Sequence, residues 1–235
     1  MTDEPEHTYT RSERAFVATS AILGYGLDFY NLIIMAFLLA PVQKALGITL
    51  PQTGIIVAMT LTASVIGGIL FGWLGDKIGR KNALLATLLL LGAGAILSAL
   101  AWDFASLLIF RIVTGIGVGV GGEWGAGMVL LNEVWHRERR GFGSSIVQAM
   151  SSAGIALASV AATLSLANIE GDWAWRLPLL VGALPLLLML FVRSKMPESR
   201  LWLEYRQRRE RSELPPEKLA EGTPLIEIVR GASLQ

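Results

Sequence analysis

Apolar residues run along the chain in six long stretches separated by short polar breaks. A helix that crosses a bilayer needs about 20 mostly apolar residues, because lipid offers an open backbone no hydrogen-bond partner. Each stretch meets this length, so the pattern predicts an all-α integral membrane protein with six transmembrane helices. The predicted spans cover residues 15–39, 53–74, 83–102, 104–131, 142–167 and 174–192.

The polar segments outside these stretches divide the chain into three parts. Residues 1–14 are acidic where a cleavable signal peptide would be positive, so we expect them to remain as an N-terminal segment. Residues 15–193 form the predicted six-helix bundle. Residues 194–235 begin with alternating arginine and glutamate, which predicts a helix on the membrane surface and then a tail.

Positive charges predict which side of the membrane each segment occupies. Nearly all of the 20 Lys and Arg residues lie before the first span, after the second and fourth spans, or in the tail, whereas Lys44 and Arg176 lie on the other side. Cytoplasmic segments carry the excess of Lys and Arg. We therefore expect a multi-pass protein of the cell (inner or plasma) membrane with both termini in the cytoplasm.

Composition agrees with this interpretation and excludes several kinds of site. The chain is 53% hydrophobic and 17% charged, against about 25% charged residues in soluble domains. It has no cysteine and two distant histidines, so we expect no metal site and no cofactor. A net charge of +1 gives no basic excess for nucleic acid. We find no nucleophile paired with a base, so the chain is not expected to be an enzyme.

The turn between the second and third spans carries a specific motif. It reads GWLGDKIGRKNALL over residues 72–85, and its glycines permit a tight turn between two close helices. This segment resembles the signature loop of the major facilitator superfamily of transporters. The loop after the fourth span resembles a second motif of that family, a glutamate followed after six residues by Arg-Gly. The resemblance implies a gating role for Gly72, Gly75, Asp76, Gly79, Arg80, Lys81, Glu133 and Arg140.

The resemblance extends along the whole chain but covers half of the family's fold. Family members have twelve helices, and six correspond to the N-terminal half, which is built as a 3+3 inverted repeat. GDKIGR after the second span and GDWAWR after the fifth both read G-D-x-x-x-R, which agrees with such a repeat. The expected partners are the lipid bilayer and a second six-helix half or a second copy of the chain.

Three charged residues lie away from the ends of the predicted spans, namely Asp28, Arg111 and Glu123. Asp28 lies 14 residues past Arg14, or about 21 Å deep and about 9 Å from the far side of a core about 30 Å thick. Arg111 enters from that far side and lies about 12 Å deep by the same rise per residue. We expect Asp28 and Arg111 to form an ion pair or to share a polar cavity, with Glu123 as a second proton relay or a structural residue. Asp28 and Arg111 resemble the aspartate and arginine of proton-coupled members of the family, and a buried pair with a structural role only is the alternative.

Polar residues near this depth are candidates for contact with substrate. They are Tyr25, Tyr30, Asn31, Arg111 and Gln148. The spacing of Gln148 from the Arg-Gly pair resembles the substrate-contacting glutamine of sugar porters, although a polar residue that bonds a neighbouring helix would look the same.

These features predict proton-coupled symport of a small organic acid or related metabolite. Arg111 favours an anionic substrate, whereas Gln148 favours a sugar or polyol. The chain could act as a fragment of a carrier, as a half-transporter that pairs with another half, or as a membrane fragment that acts through interaction with a partner.

Overall fold

The computed structural model describes residues 10–119, 131 and 140–211, and the described residues form helices without a strand. The helices are α1 (Arg11–Phe37), α2 (Leu39–Leu46), α3 (Leu50–Ile78), α4 (Arg80–Ala99), α5 (Phe104–Val118), α6 (Arg140–Asn168), α7 (Trp173–Val181), α8 (Pro185–Lys195) and α9 (Arg200–Glu210).

The long apolar helices correspond to the predicted spans. In the described part of the chain, five segments are long and apolar enough to cross a membrane: α1, α3, α4, most of α6, and α7 with α8 taken together. The shorter apolar helix α5 covers the beginning of the fourth predicted span, whose residues 120–130 lie outside the described residues. The predicted all-α membrane fold is confirmed.

Two helices begin earlier than the hydrophobic pattern predicts, because polar residues cap them. Thr10 Oγ1 accepts a hydrogen bond from the N–H of Glu13 at 3.2 Å, and Glu13 Oε2 accepts one from the N–H of Thr10 at 2.7 Å. At the start of α3, Gln52 Oε1 accepts from the N–H of Thr49 at 2.8 Å. Such capping boxes satisfy backbone donors that a helix start leaves open. The helices therefore extend into the polar boundary that hydropathy excludes.

The sixth predicted span is broken into two helices. α7 ends at Val181 and α8 begins at Pro185. Pro178, inside α7, has no backbone N–H, so the carbonyl of Ala174 loses its helical donor. Ser165 of α6 donates its hydroxyl to that carbonyl at 2.7 Å. A side chain from a neighbouring helix thus replaces the hydrogen bond that proline removes, as membrane helices require.

Replacement of Ser165 by alanine is expected to destabilise the bundle by about 1–2 kcal/mol, because the buried Ala174 carbonyl would be left without a donor. The measurement is the midpoint of thermal unfolding of the purified protein in detergent. Ser145→Ala on the same helix is the control. Its hydroxyl bonds Gly141 O, which also receives a helical N–H, so little change is expected. Equal effects of both substitutions would contradict the compensating role of Ser165.

Close packing of small residues holds the helices together. α1 lies along α6, and both α3 and α4 pack on α5. A Cβ placed on Gly154 of α6 would overlap the carbonyl oxygen of Gly26 in α1, and one on Gly117 would overlap the backbone of Leu91. Backbones approach this closely in lipid where the residues are small.

Both G-D-x-x-x-R segments form an ion pair between their aspartate and their arginine. Asp76 and Arg80 form an ion pair four residues apart at 2.6 Å, and Asp172 and Arg176 do so at 3.7 Å. Arg176 also donates to the carbonyl of Ala99, at the end of α4. The ion pair is shared but the backbone differs, because Asp76 and Arg80 join the end of α3 to the start of α4, whereas Asp172 and Arg176 lie at the start of α7.

Candidate functional site

Arg111 occupies the centre of the candidate site. Its side chain on α5 has 0% exposure. Nη2 donates a 2.6 Å hydrogen bond to the main-chain carbonyl of Asn31 in α1. The other two nitrogens, Nε and Nη1, have no hydrogen-bond partner among the described residues. A buried cation with unused donors inside an apolar bundle is costly, which makes it a functional candidate.

Asp28 lies on the part of α1 that Arg111 contacts. It is 4% exposed and precedes Asn31 by almost one helical turn. The sequence predicts an ion pair or a shared cavity for Asp28 and Arg111. In the structure Arg111 reaches α1 beside Asp28, and its hydrogen bond goes to a backbone oxygen rather than to a carboxylate. The two candidate residues of proton coupling, a carboxylate and a guanidinium, lie on adjoining helices.

Tyr30 and Asn31, two candidates for substrate contact, are buried against the broken sixth span. The hydroxyl of Tyr30 donates to the carbonyl of Pro178 at 2.6 Å. The side-chain amide of Asn31 donates to the carbonyl of Gly182 at 2.9 Å and to that of Leu27 at 3.1 Å. Both side chains therefore use their donors to join α1 to α7 and the residues that follow it.

Tyr25 and Gln148 meet on another part of α1. The hydroxyl of Tyr25 donates to Gln148 Oε1 at 3.0 Å, although 123 residues separate them. Tyr25 is buried and its ring lies 5.0 Å from that of Phe29, whereas Gln148 is exposed. Gln148 is therefore accessible on the surface of the bundle, with its orientation set by Tyr25.

The motif loop between α3 and α4 is held by the segment after α8. The N–H of Lys81 donates to Glu198 Oε1 at 3.0 Å, so this carboxylate lies at the N-terminus of α4, where negative charge is favoured. Gly79 between the two helices has φ +100°, and a Cβ there would overlap Glu198. The backbone angle thus favours glycine at this position, and a larger residue would also displace the Glu198 carboxylate.

Asp76 of the same loop is bound on two sides. Its carboxylate pairs with Arg80, and its carbonyl accepts a 2.8 Å hydrogen bond from Trp202 Nε1 of α9. Glu198 and Trp202 were not among the residues that the motifs single out. The segment MPESRLWL that contains them carries the available signal, because it resembles the sugar-porter sequence at this position.

The remaining gating candidates are only partly described. Gly75 is buried, and a Cβ there would lie 3.2 Å from Arg80 Nη1, whereas one on Gly72 would meet nothing within 4 Å. Glu123 and Glu133 lie outside the described residues, and Arg140 begins α6. Among the described residues, no group of His, Asp and Glu could hold a metal ion.

Comparison with known proteins adds a family and several relatives. The family model for sugar (and other) transporters matches residues 13–225. A putative metabolite transport protein from Haemophilus influenzae is 37% identical over 182 residues, which cover 77% of this chain and 43% of that protein. A probable 4-methylmuconolactone transporter from Cupriavidus pinatubonensis is 33% identical over 186 residues, which cover 79% and 43%. The chain therefore spans less than half the length of these relatives.

Solved structures with the same arrangement of helices include a xylose transporter. The proton:xylose symporter XylE, bound to 6-bromo-6-deoxy-D-glucose, matches with a TM-score of 0.76 at 22% identity, over 87% of this chain and 49% of that chain. A partially occluded inward open conformation of XylE from E. coli matches with a TM-score of 0.74 at 21% identity, over 94% and 58%. At these identities the likeness shows the fold.

Proposed function

The chain belongs to the sugar (and other) transporter family of the major facilitator superfamily, and from that premise we propose that it forms the N-terminal half of a proton-coupled symporter for a small organic acid. The proteins that it resembles are membrane transporters and not enzymes. The proposal adds the coupling ion, the substrate class, and an orientation with both termini in the cytoplasm, which the distribution of Lys and Arg supports.

The observation that carries the proposal is the fully buried guanidinium of Arg111. Among the described residues it has one hydrogen-bond partner, a backbone carbonyl that brings no negative charge. A carboxylate is the natural partner for the remaining donors, because charge-assisted hydrogen bonds to arginine are strong in a site that excludes water. Arg111 thus favours an anionic substrate over a neutral one.

Asp28 supplies the group that would carry the proton. Its carboxylate is buried on the helix that Arg111 contacts, where protonation removes a negative charge from the neighbourhood of the guanidinium. Loading Asp28 with a proton would leave Arg111 available for a substrate carboxylate. Proton and acid would then bind together and favour the same access state, which is what symport requires.

A sugar or polyol is the second candidate substrate, and Gln148 supports it. Its amide is exposed and oriented by Tyr25, so it could bond a hydroxyl group. This alternative needs neither Arg111 nor a charge on the substrate. The two candidates therefore differ in which residue a substrate needs.

Substrate would bind between this bundle and a second one, because carriers of this architecture move two halves about a central site. The chain provides one wall of that pathway. The second bundle would be the rest of a longer carrier of which this chain is a fragment, a separate six-helix half, or a second copy of the chain. A chain that binds a partner without transport is the remaining alternative.

The test is uptake by proteoliposomes that contain the chain alone or together with a second half from a full-length relative. Labelled carboxylic acids and labelled neutral sugars are supplied with an inward proton gradient. We expect accumulation of an acid, with the second half present, and its loss when a protonophore collapses the gradient.

Each other outcome has a defined meaning. Uptake of neutral sugars alone would overturn the acid and support the role of Gln148. Uptake that does not depend on the proton gradient would contradict proton coupling. Transport by the chain without the second half would identify a homodimer as the working unit, and binding of the second half without any uptake would support the interaction role.

A further inference from the structure

We propose that Asn31 is a positioning residue that transmits the state of the Arg111 site to the break in the sixth span. The proposal rests on the proposed function for the role of Arg111, but its geometry and its test are independent of transport. Asn31 is 1% exposed and joins three elements through two different groups. Its backbone binds α5, and its side chain binds the carbonyl at the end of α7.

The backbone group of Asn31 is the acceptor for Arg111. Nη2 of Arg111 donates to the Asn31 carbonyl at 2.6 Å. That carbonyl also belongs to the hydrogen-bond ladder of α1, so the guanidinium contacts the helix backbone at this one residue. When a substrate or a neighbouring carboxylate attracts Arg111, the hydrogen bond from Arg111 to this carbonyl weakens or strengthens.

The side-chain group of Asn31 is a donor to the break itself. Gly182 follows the last residue of α7, and its carbonyl accepts from Asn31 Nδ2 at 2.9 Å. A Cβ on Gly182 would lie 2.5 Å from Asn31 Oδ1, so the two residues fit only because position 182 is glycine. The contact is thus specific to the break and not a general feature of two packed helices.

Release of the break would cost Asn31 one of its two side-chain hydrogen bonds. Its amide also donates to the carbonyl of Leu27 in α1 at 3.1 Å. If Gly182 moves away, Nδ2 keeps one acceptor for one of its two N–H groups, so the release costs one buried hydrogen bond and not both. The break therefore has a bound and a released arrangement, and the position of the Asn31 backbone, which Arg111 holds, favours one of them.

The test is hydrogen–deuterium exchange of the purified chain in lipid nanodiscs, read on peptides that cover residues 180–188. Asn31→Leu removes the donor, and the exchange rate there is expected to rise about tenfold, as for the loss of one hydrogen bond. Arg111→Met keeps an unbranched stem and removes the guanidinium. It leaves Asn31 intact and is expected to raise exchange in the same peptides by a similar factor.

The control is Asn168→Leu. Asn168 donates to the carbonyl four residues before it, as Asn31 does, but has no contact with the break. Its loss should leave residues 180–188 unchanged. The double variant Asn31→Leu with Arg111→Met should exchange no faster than Asn31→Leu, because both act through one contact.

The remaining outcomes decide against the proposal. Unchanged exchange in Arg111→Met reduces Asn31 to a local contact, and additive effects make the two residues independent. Faster exchange throughout α4 as well as at the break shows general loosening. If Arg111→Met does not fold, Arg111→Lys serves instead with a smaller expected rise, and no rise there overturns the proposal. If hydrogen–deuterium exchange follows the expected pattern but the wild-type chain with its second half shows no proton-driven uptake, the proposed function alone is contradicted.

Discussion

Replacement of Gly154 by alanine is expected to separate α1 from α6 and to leave little folded protein. The added Cβ would overlap the carbonyl oxygen of Gly26 and lie 3.2 Å from the backbone nitrogen of Tyr30. Overpacked cores typically lose about 1–3 kcal/mol when side chains can shift. Here the obstacles are backbone atoms of the neighbouring helix, so the whole helix must move and the loss is expected at the upper end or beyond.

The measurement is unfolding of the purified protein in mixed micelles as the fraction of denaturing detergent rises. Gly141→Ala is the matched control on the same helix, because a Cβ there meets nothing within 4 Å. That substitution is expected to gain about 0.4–1 kcal/mol from reduced freedom of the unfolded chain. Equal stability of the two variants would mean that α1 and α6 do not approach as closely as the structure has them.

The close approach at Gly154 also positions the site. Gln148 lies on the same helix and receives its hydrogen bond from Tyr25, one residue before Gly26. If α1 and α6 separate, that bond at 3.0 Å cannot form. Small residues in the helix interface and the orientation of a candidate substrate contact are therefore parts of one feature.

The sequence was sufficient to predict the spans because hydrophobicity alone determines which segments can lie in lipid. The predicted first span, 15–39, ends two residues after α1, which ends at Phe37. Its start was placed too late because capping by Thr10 and Glu13 extends the helix into charged sequence. The T-x-x-E pattern of a capping box was present there and could have corrected the boundary.

The break in the sixth span could not be predicted from hydropathy. Residues 174–192 form one apolar run, and proline is tolerated in membrane helices when other groups satisfy the backbone. The groups that do so are Ser165, Tyr30 and Asn31, which lie far from the break in sequence. The short helix α2 is not predicted, for a different reason. It has eight residues, too few to span a membrane, and Pro41 lies in its first turn, where proline is tolerated.

The sequence predicts the depth of the candidate site residues in the membrane but not which of their atoms are in contact. Counting residues from each membrane surface placed Asp28 and Arg111 at similar depth, and the structure has Arg111 bound to α1 at Asn31. Depth follows from the rise per residue of a helix. The choice of a carbonyl over a carboxylate depends on the rotation of each helix about its axis, which one sequence does not determine.

Replacement of Asp28 by asparagine in a complete carrier is expected to abolish proton-driven accumulation while exchange of substrate continues. Asparagine resembles the protonated acid, so the variant behaves as permanently loaded and no longer needs a proton to bind substrate. With one proton per substrate, a gradient of one pH unit supports about tenfold accumulation, because one unit is worth about 1.4 kcal/mol. The wild-type carrier should reach that ratio, and Asp28→Asn should stay near equal concentrations on both sides.

The two activities are measured in the same proteoliposomes, as uptake driven by a pH gradient and as exchange of labelled for unlabelled substrate without one. Asp103→Asn is the control. This exposed carboxylate caps α5, and hydrogen bonds from the side chain and then the backbone of Ser106 hold its pKa below the ordinary value. It therefore stays charged at neutral pH, and asparagine caps a helix as well, so accumulation should be unchanged. Full accumulation by Asp28→Asn would exclude Asp28 as the coupling residue, and loss of exchange as well as accumulation would make Asp28 part of substrate binding instead.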